Sequence, residues 1–458
     1  MQKMKNGKKV LSVCLSLAMA AGMLSTSAFA SWNVYGGSNN HNAVVTEAPT
    51  RPDKSGLDSY IQLHCTGSGW DGVDNVPVMQ TVNGTTYAYV LYDGYGASGA
   101  LVAKIRCAEN GGSSIVWTTD PYGTEGTSLN AKSGFQLSTP YLDDKGTPDD
   151  ASDDTLYVGT ISQYDDYEGG EWLTGTGSKV MALTGLDQNK PTVTNVLTGI
   201  NGQINTPITT DGTYLYFGTW PGGSNAGTYY QVKLSDYSVK TFTPDSYGFY
   251  WAGAVSDGTN VYFGSDNGLL YWRSIADFDT TGGVLDLTDV ASDAGNVRST
   301  VMLDDGYLYF TTQGGYLWCC SYDDGLTVEW HKKLGATSTS TPTKVGDRIY
   351  VGYYSGFNAG GVQCVSADGS SVKTVVEGDG FPVQSSIVVM GDGTGTDYLY
   401  FNTNAQKGAG YCYSYDGGTT GSKVWGTTGD TYALGGMAID NGYAVFGNDY
   451  NHLYVVHD

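Results

Sequence analysis

Two groups of residues in this sequence have the types and spacing to do chemistry. The first is acidic: Asp143, Asp144, Asp149, Asp150, Asp153 and Asp154 fall within twelve residues, interleaved with Gly146, Pro148 and Ser152. Calcium takes roughly six to eight oxygen ligands, so carboxylates on such a loop could fold round it as a structural ion. The acids do not alternate as in an EF-hand loop, and a solvated hairpin tip is the competing reading. The second group is aromatic: Trp70 beside Asp71, Tyr164 with Tyr167 and Trp172, Trp220 before Pro221, Tyr250 with Trp251, and Tyr353, Tyr354 and Phe357. Flat rings among Asp, Asn and Gly suit sugar rings or an extended peptide, offering apolar faces with hydrogen-bond partners at their edges. Any one ring could instead pack over a loop; the grouping is what points to a binding rim.

Other chemistries lack their signatures. The five histidines (His41, His64, His331, His452, His457) include no helical i, i+4 pair, and no cysteine stands beside one at finger spacing. No Gly-x-Ser-x-Gly nucleophile elbow occurs on a strand-to-helix turn.

The elements that must carry these residues are read from an internal repeat. One unit recurs: a small residue or Pro, an apolar strand, an Asp/Asn-Gly turn, then a Tyr-rich strand ending in Gly. It is clearest at Thr206-Pro207-Ile208-Thr209-Thr210-Asp211-Gly212-Thr213-Tyr214-Leu215-Tyr216-Phe217-Gly218. Strand-centre residues Tyr89, Tyr157, Tyr216, Tyr262, Tyr309, Tyr350, Tyr400 and Val445 are spaced 41 to 68 residues apart, the length of one four-stranded blade with or without an insertion. A third, alternating strand and a fourth closing on Trp117, Trp330 or Trp425 complete several units. The spacing predicts an all-β, eight-bladed β-propeller of four-stranded antiparallel blades in one domain, residues 31–458. The last unit stops after three strands, so the ring is expected to close by an N-terminal strand pairing with the C-terminal blade, with Ser31-Trp32-Asn33-Val34-Tyr35 as donor.

The start of the chain reads as a secretory signal peptide over residues 1–30: Lys3, Lys5, Lys8 and Lys9, an apolar stretch from Val10 to Leu24, and cleavage after Ala28-Phe29-Ala30. Its removal takes away four lysines and no acid, leaving 19 basic side chains against 46 acidic ones. Such a surface repels phosphates, which disfavours nucleic acid and anionic lipid as partners. No later stretch is long and apolar enough for a membrane span. The 66 glycines, 36 tyrosines and 10 tryptophans suit strands and tight turns. The expected product is secreted or cell-surface associated, and monomeric.

The opening Trp32-Asn33-Val34-Tyr35-Gly36-Gly37-Ser38-Asn39-Asn40-His41-Asn42, and the unit Thr-Pro, Asp-Gly, Leu-Tyr-Phe-Gly with its closing Trp, resemble the pyrroloquinoline-quinone (PQQ) propellers over nearly the whole chain. The resemblance implies the fold; many members of that superfamily bind no quinone and act as scaffolds or assembly factors. In the quinone-dependent dehydrogenases an adjacent cysteine pair lies beside the cofactor, which makes Cys319-Cys320 the sharpest enzymatic feature. Here the pair falls inside the alternating strand Tyr316 to Tyr322, where neighbouring side chains point to opposite faces. Cys319, Cys364 and Cys412 occupy one repeat position, which favours buried packing residues. PQQ chemistry would also need an axial calcium held by carboxylate and amide oxygens and an Asp base, and no motif supplies that set. The favoured reading is a binding scaffold for a glycan or protein partner, with no cofactor. A PQQ- and calcium-dependent dehydrogenase is the first alternative. An extracellular propeller hydrolase or lyase, needing paired carboxylates or a Tyr-His pair at one cleft, is the second.

Overall fold

The computed structural model describes residues 31–458 except 64–71, 94–99, 121–125, 130–137, 162–163, 169–170, 175–176 and 324, with backbone alone for 55, 164–168 and 171–174. Eight antiparallel four-stranded sheets follow one another along the chain. Blade 1 is Val78–Val82, Thr85–Asp93, Ala100–Arg106 and Ser114–Thr118, and blade 5 is Met302–Asp304, Tyr307–Thr312, Tyr316–Ser321 and Thr327–Lys333. The first strands of neighbouring blades touch each other, which places them at the axis. The acidic run and the other hairpins between first and second strands therefore lie at one end of the disc. Connections between blades, and the loops between second and third strands, emerge at the other.

The repeat tyrosines explain the register. Tyr216, Tyr262 and Tyr350 are almost wholly buried between blades. Their hydroxyls donate to Asp211 (2.7 Å), Asp257 (2.7 Å) and Asp397 (2.6 Å). Asp211 also accepts from the backbone of Thr213 and Tyr214, each at 2.8 Å, so one carboxylate closes the Asp-Gly turn and anchors the strand behind it. Gly212 sits at φ +86, where a side chain would be strained.

On the third strands Cys319, Cys364 and Cys412 stand directly opposite Tyr309, Tyr350 and Tyr400. All are buried free thiols, as are Cys107 and Cys320; Cys65 lies outside the described residues. Cys320 packs with Val255, Tyr262 and Leu270 of blade 4. Cys319 packs on the opposite face with Ile349, Val351 and Val365 of blade 6. Burial pushes the thiols of Cys319 and Cys412 up to about 12 and that of Cys364 to about 11, which keeps them protonated and unreactive.

The ring closes from the N-terminal side, but with a different strand from the one expected. Tyr60–Gln62 pairs antiparallel with His452–Val456, matching Tyr60 with Tyr454 and Ile61 with Leu453, and so completes blade 8. Residues 32–45 instead run across the axis. The carbonyls of Trp32 and Asn33 accept from Met79 (2.7 Å) and Leu142 (2.8 Å) on the first strands of blades 1 and 2. On the far side the carbonyls of Asn40 and Ala43 accept from Leu303 and Val389, each at 2.9 Å, in blades 5 and 7. The Asn42 amide brackets the Lys344 backbone of blade 6 at 2.8 and 2.9 Å. Val44–Val45 then pairs parallel with Val388–Met390.

The Gly-Gly pair is what bends this segment. Gly37 has φ +69, and a Cβ there would stand 2.6 Å from the buried Trp32 ring. His41, also buried, bonds the Val301 carbonyl through Nδ1 at 2.9 Å, and burial lowers it to about 4, so it is neutral. The opening motif is thus an axial plug rather than the closing strand, because its buried Trp32 and Val34 need side-chain pockets that an outer edge does not offer.

Candidate functional site

Above the plug, at the end where the blade connections emerge, a pocket of about 70 Å³ lies on the axis with Tyr35 in its lining. Around it stands a collar of residues from one repeat position. In each blade a first-strand residue pairs with the repeat tyrosine (valine in blade 8): Val78, Tyr141, Thr209, Val255, Met302, Thr343, Val388 and Ala438. Four residues earlier stand Asp74, Leu137, Asn205, Trp251, Arg298, Thr339, Gln384 and Leu434. Leu137 lies outside the described residues; all seven others line the pocket. The next position along is small in most blades (Ser138, Thr206, Ala252, Ser299, Ser340, Ser385, Gly435), as close approach of eight chains requires. The ring therefore varies its chemistry at one position and fixes its packing at the next.

Arg298 organises the rim round this pocket. Its Nε and Nη2 donate to Asp266 Oδ1 and Oδ2, both at 2.7 Å, in a bidentate pair. Burial opposes the charge on Arg298, but Asp266 outweighs it and holds the guanidinium firmly protonated. The guanidinium lies 4.4 Å over the Tyr250 ring. Trp220 Nε1 donates to Asp266 Oδ2 at 3.2 Å, and its ring meets Tyr250 edge-on at 5.1 Å. Tyr250 in turn contacts Trp251 at 4.8 Å. Trp251 adopts φ +58, uncommon for an aromatic residue. Thr300 Oγ1 donates to its carbonyl at 3.3 Å. Backbones meet closely here: a Cβ on Gly227 would be 2.0 Å from the Thr219 carbonyl oxygen.

Of the aromatic residues singled out in the sequence, Trp220, Tyr250 and Trp251 come together. Tyr354 is half-buried within the field of Arg298. Tyr353 is buried, its hydroxyl 3.3 Å from Glu377, and presents no face to solvent. Phe357 is exposed on a loop tip and packs edge-on against Tyr432 at 5.5 Å, apart from the collar. Tyr167 and Trp172 are directly paired on the hairpin Tyr164–Glu168/Glu171–Thr174, whose side chains lie outside the described residues, as do Trp70 and Asp71 entirely. Sequence reasoning missed Arg298, Asp266 and Asn205. The repeat alignment at the position four residues before each tyrosine-paired residue carried the signal for Arg298 and Asn205; Asp266 lies outside it, between the second and third strands of blade 4.

The acidic run sits at the opposite end of the disc, and each of its carboxylates is engaged through at least one oxygen. Asp143 pairs with Lys145. Asp150 caps Ser152 at 3.0 Å, Asp153 accepts from Thr147 at 3.1 Å, and Asp149 accepts from the Asn83 backbone at 3.3 Å. Asp154 is buried against Gln80. Among the described residues no three His, Cys, Asp or Glu side chains gather as a metal-ligand set.

No protein-family model and no curated protein matches the chain. Among solved structures it is similar to a europium-containing methanol dehydrogenase at 12% identity and TM-score 0.58, covering 91% of this chain and 89% of that one. It is similar to the quinohemoprotein alcohol dehydrogenase from Comamonas testosteroni at 10% identity and TM-score 0.57, covering 91% and 76%. It is also similar to BamB from Moraxella catarrhalis at 13% identity and TM-score 0.51, covering 87% and 100%. The likeness is in the propeller fold, here of eight blades. Likeness at these identities carries the fold and no activity.

Whether the axis suits the quinone is a matter of its residues. The lining offers one carboxylate, Asp74, with the amide oxygens of Asn75, Asn205 and Gln384, where calcium takes roughly six to eight oxygen ligands. Its one cation, Arg298, is already paired, and 70 Å³ is far below the roughly 300 Å³ of pockets that enclose a ligand of that size. The pocket as it stands is too small to enclose PQQ.

Proposed function

We propose that this chain is an exported binding protein, freed of residues 1–30, that takes a glycan or protein partner on the propeller face where the axial pocket opens. The observation that carries this reading is the convergence of Trp220, Tyr250, Trp251 and Arg298 on that face. Blades 3 and 4 and the two connections before blades 4 and 5 hold them in fixed geometry. Rigid elements presenting preorganised aromatic and guanidinium groups bind at little ordering cost. Within this reading the acidic surface favours uncharged partners over anionic ones.

The test is an array of immobilised neutral and acidic glycans probed with the 31–458 protein and with the folded Trp220→Ala, Tyr250→Ala double variant. Retention on neutral glycans that falls at least about tenfold in the variant is the expected result. Retention that the variant keeps, or a protection footprint on the Asp-Gly hairpin tips at the other end of the disc, would overturn it.

A further inference from the structure

Resting on that reading, we infer that the axial pocket takes the acetamido group of an N-acetylated sugar, with the sugar ring lying on Trp251. The inference starts from atoms that have no partner. Asn205 is 2% exposed, lines the pocket, and neither its Oδ1 nor its Nδ2 has a hydrogen-bond partner. Ser385 Oγ and Asn75 Oδ1, also in the lining, are likewise unpartnered. Buried polar groups are almost always satisfied, so a cluster of three residues that are not marks a place where something else supplies the bonds.

The geometry of the ring orders these groups. Asn205 belongs to the connection before blade 3 and Ser385 to the one before blade 7, so they face each other across the axis of an eight-membered ring. Asp74 and Arg298, before blades 1 and 5, face each other likewise. The collar has one acid and one base on opposite sides, the base already paired with Asp266, with amides and hydroxyls between. A neutral group that both donates and accepts is what such a wall can satisfy: a carbonyl for Asn205 Nδ2, an N–H for Asn205 Oδ1 or Asn75 Oδ1.

Size narrows the class. At roughly 10–15 Å³ per water, a cavity of about 70 Å³ admits only a handful of heavy atoms. An acetamido group fits that space. Trp251 is next to Asn205 in the ring and is partly exposed, so a sugar bearing that group would rest its C–H face on the indole while Tyr250 and Trp220 extend the platform.

The experiment is isothermal titration of the 31–458 protein with N-acetylglucosamine, glucose, glucosamine and an Nε-acetyl-lysine amide, repeated on Asn205→Leu and Ser385→Ala. N-acetylglucosamine is expected to bind at least about tenfold more tightly than glucose or glucosamine, because a site built to hydrogen-bond a group rejects the analogue lacking it. Asn205→Leu, of similar volume and with no polar atom to leave unpaired, is expected to keep or raise the melting temperature while abolishing the preference. Ser385→Ala should weaken binding and leave the fold intact. Equal binding of glucose, tighter binding of the acetyl-lysine amide, a preference that survives in folded Asn205→Leu, or no binding of any probe would overturn the inference. Retention of glycans on the array through Trp220 and Tyr250, without this preference, would overturn the pocket assignment and leave the rim reading standing.

Discussion

Asp154 shows how one carboxyl in this fold ties stability to pH. It is wholly buried, Gln80 Nε2 donates to it at 2.6 Å, and its other oxygen is unpartnered. Burial, with the nearby Asp144, Asp153 and Asp143 adding to it, raises its pKa to about 6 against the Gln80 bond. Asp440, held by Thr81 Oγ1 at 3.0 Å on the other side of blade 1, is raised to about 6 by the same cause. A raised carboxyl favours the folded state in its protonated form. Its contribution is therefore full below the unfolded value near 4, is lost as pH rises toward 6, and stays lost above. Asp154→Asn keeps the acceptor and removes the charge. The variant is expected to melt several degrees higher than the parent at pH 8 and at the same temperature at pH 3.5. Melting curves across that range check it, and a variant that tracks the parent at pH 8 would refute the assignment.

At the scale of elements, the axial plug has the most to explain. Residues 32–45 engage the first strands of five blades, mostly through backbone bonds that any sequence could make. The specificity comes from Trp32, Val34 and His41, all buried, and from Gly36 and Gly37 at positive φ. Removing the segment would leave the Met79, Leu142, Leu303 and Val389 amides without acceptors while the blades keep their own ladders. A protein beginning at residue 46 is expected to lose hydrogen-exchange protection at those four amides by tenfold or more, with the outer strands unchanged. Protection retained at all four would show that the plug is dispensable to the ring.

At the scale of the whole molecule, eight blades and one collar allow the same frame to carry unrelated chemistries, so the frame cannot assign one. The collar residues decide, and here the pocket they line is too small to enclose the quinone. A thermal melt of residues 31–458 with PQQ and calcium, calcium alone, and neither is expected to show no quinone-dependent rise. A ligand at a hundred times its dissociation constant stabilises by about 2.7 kcal/mol, which a melt resolves easily. A rise that needs the quinone would make this a dehydrogenase axis after all.

The sequence by itself determined the blades. Strand alternation, Asp-Gly turns and the recurring cysteine position are local, and they recur often enough that Tyr216 and Tyr309 could be aligned without coordinates. It also placed Trp220, Tyr250 and Trp251 on loops of one face, because in a propeller the strand order fixes which end each loop leaves. Only the tertiary structure decided which N-terminal segment closes the ring, since edge pairing runs through backbone groups that both Ser31–Tyr35 and Tyr60–Gln62 possess. The choice fell to where Trp32 and Val34 could be buried. It alone brought Asn205, Arg298 and Ser385, drawn from connections before three different blades, to one pocket, because a collar exists only when the ring closes.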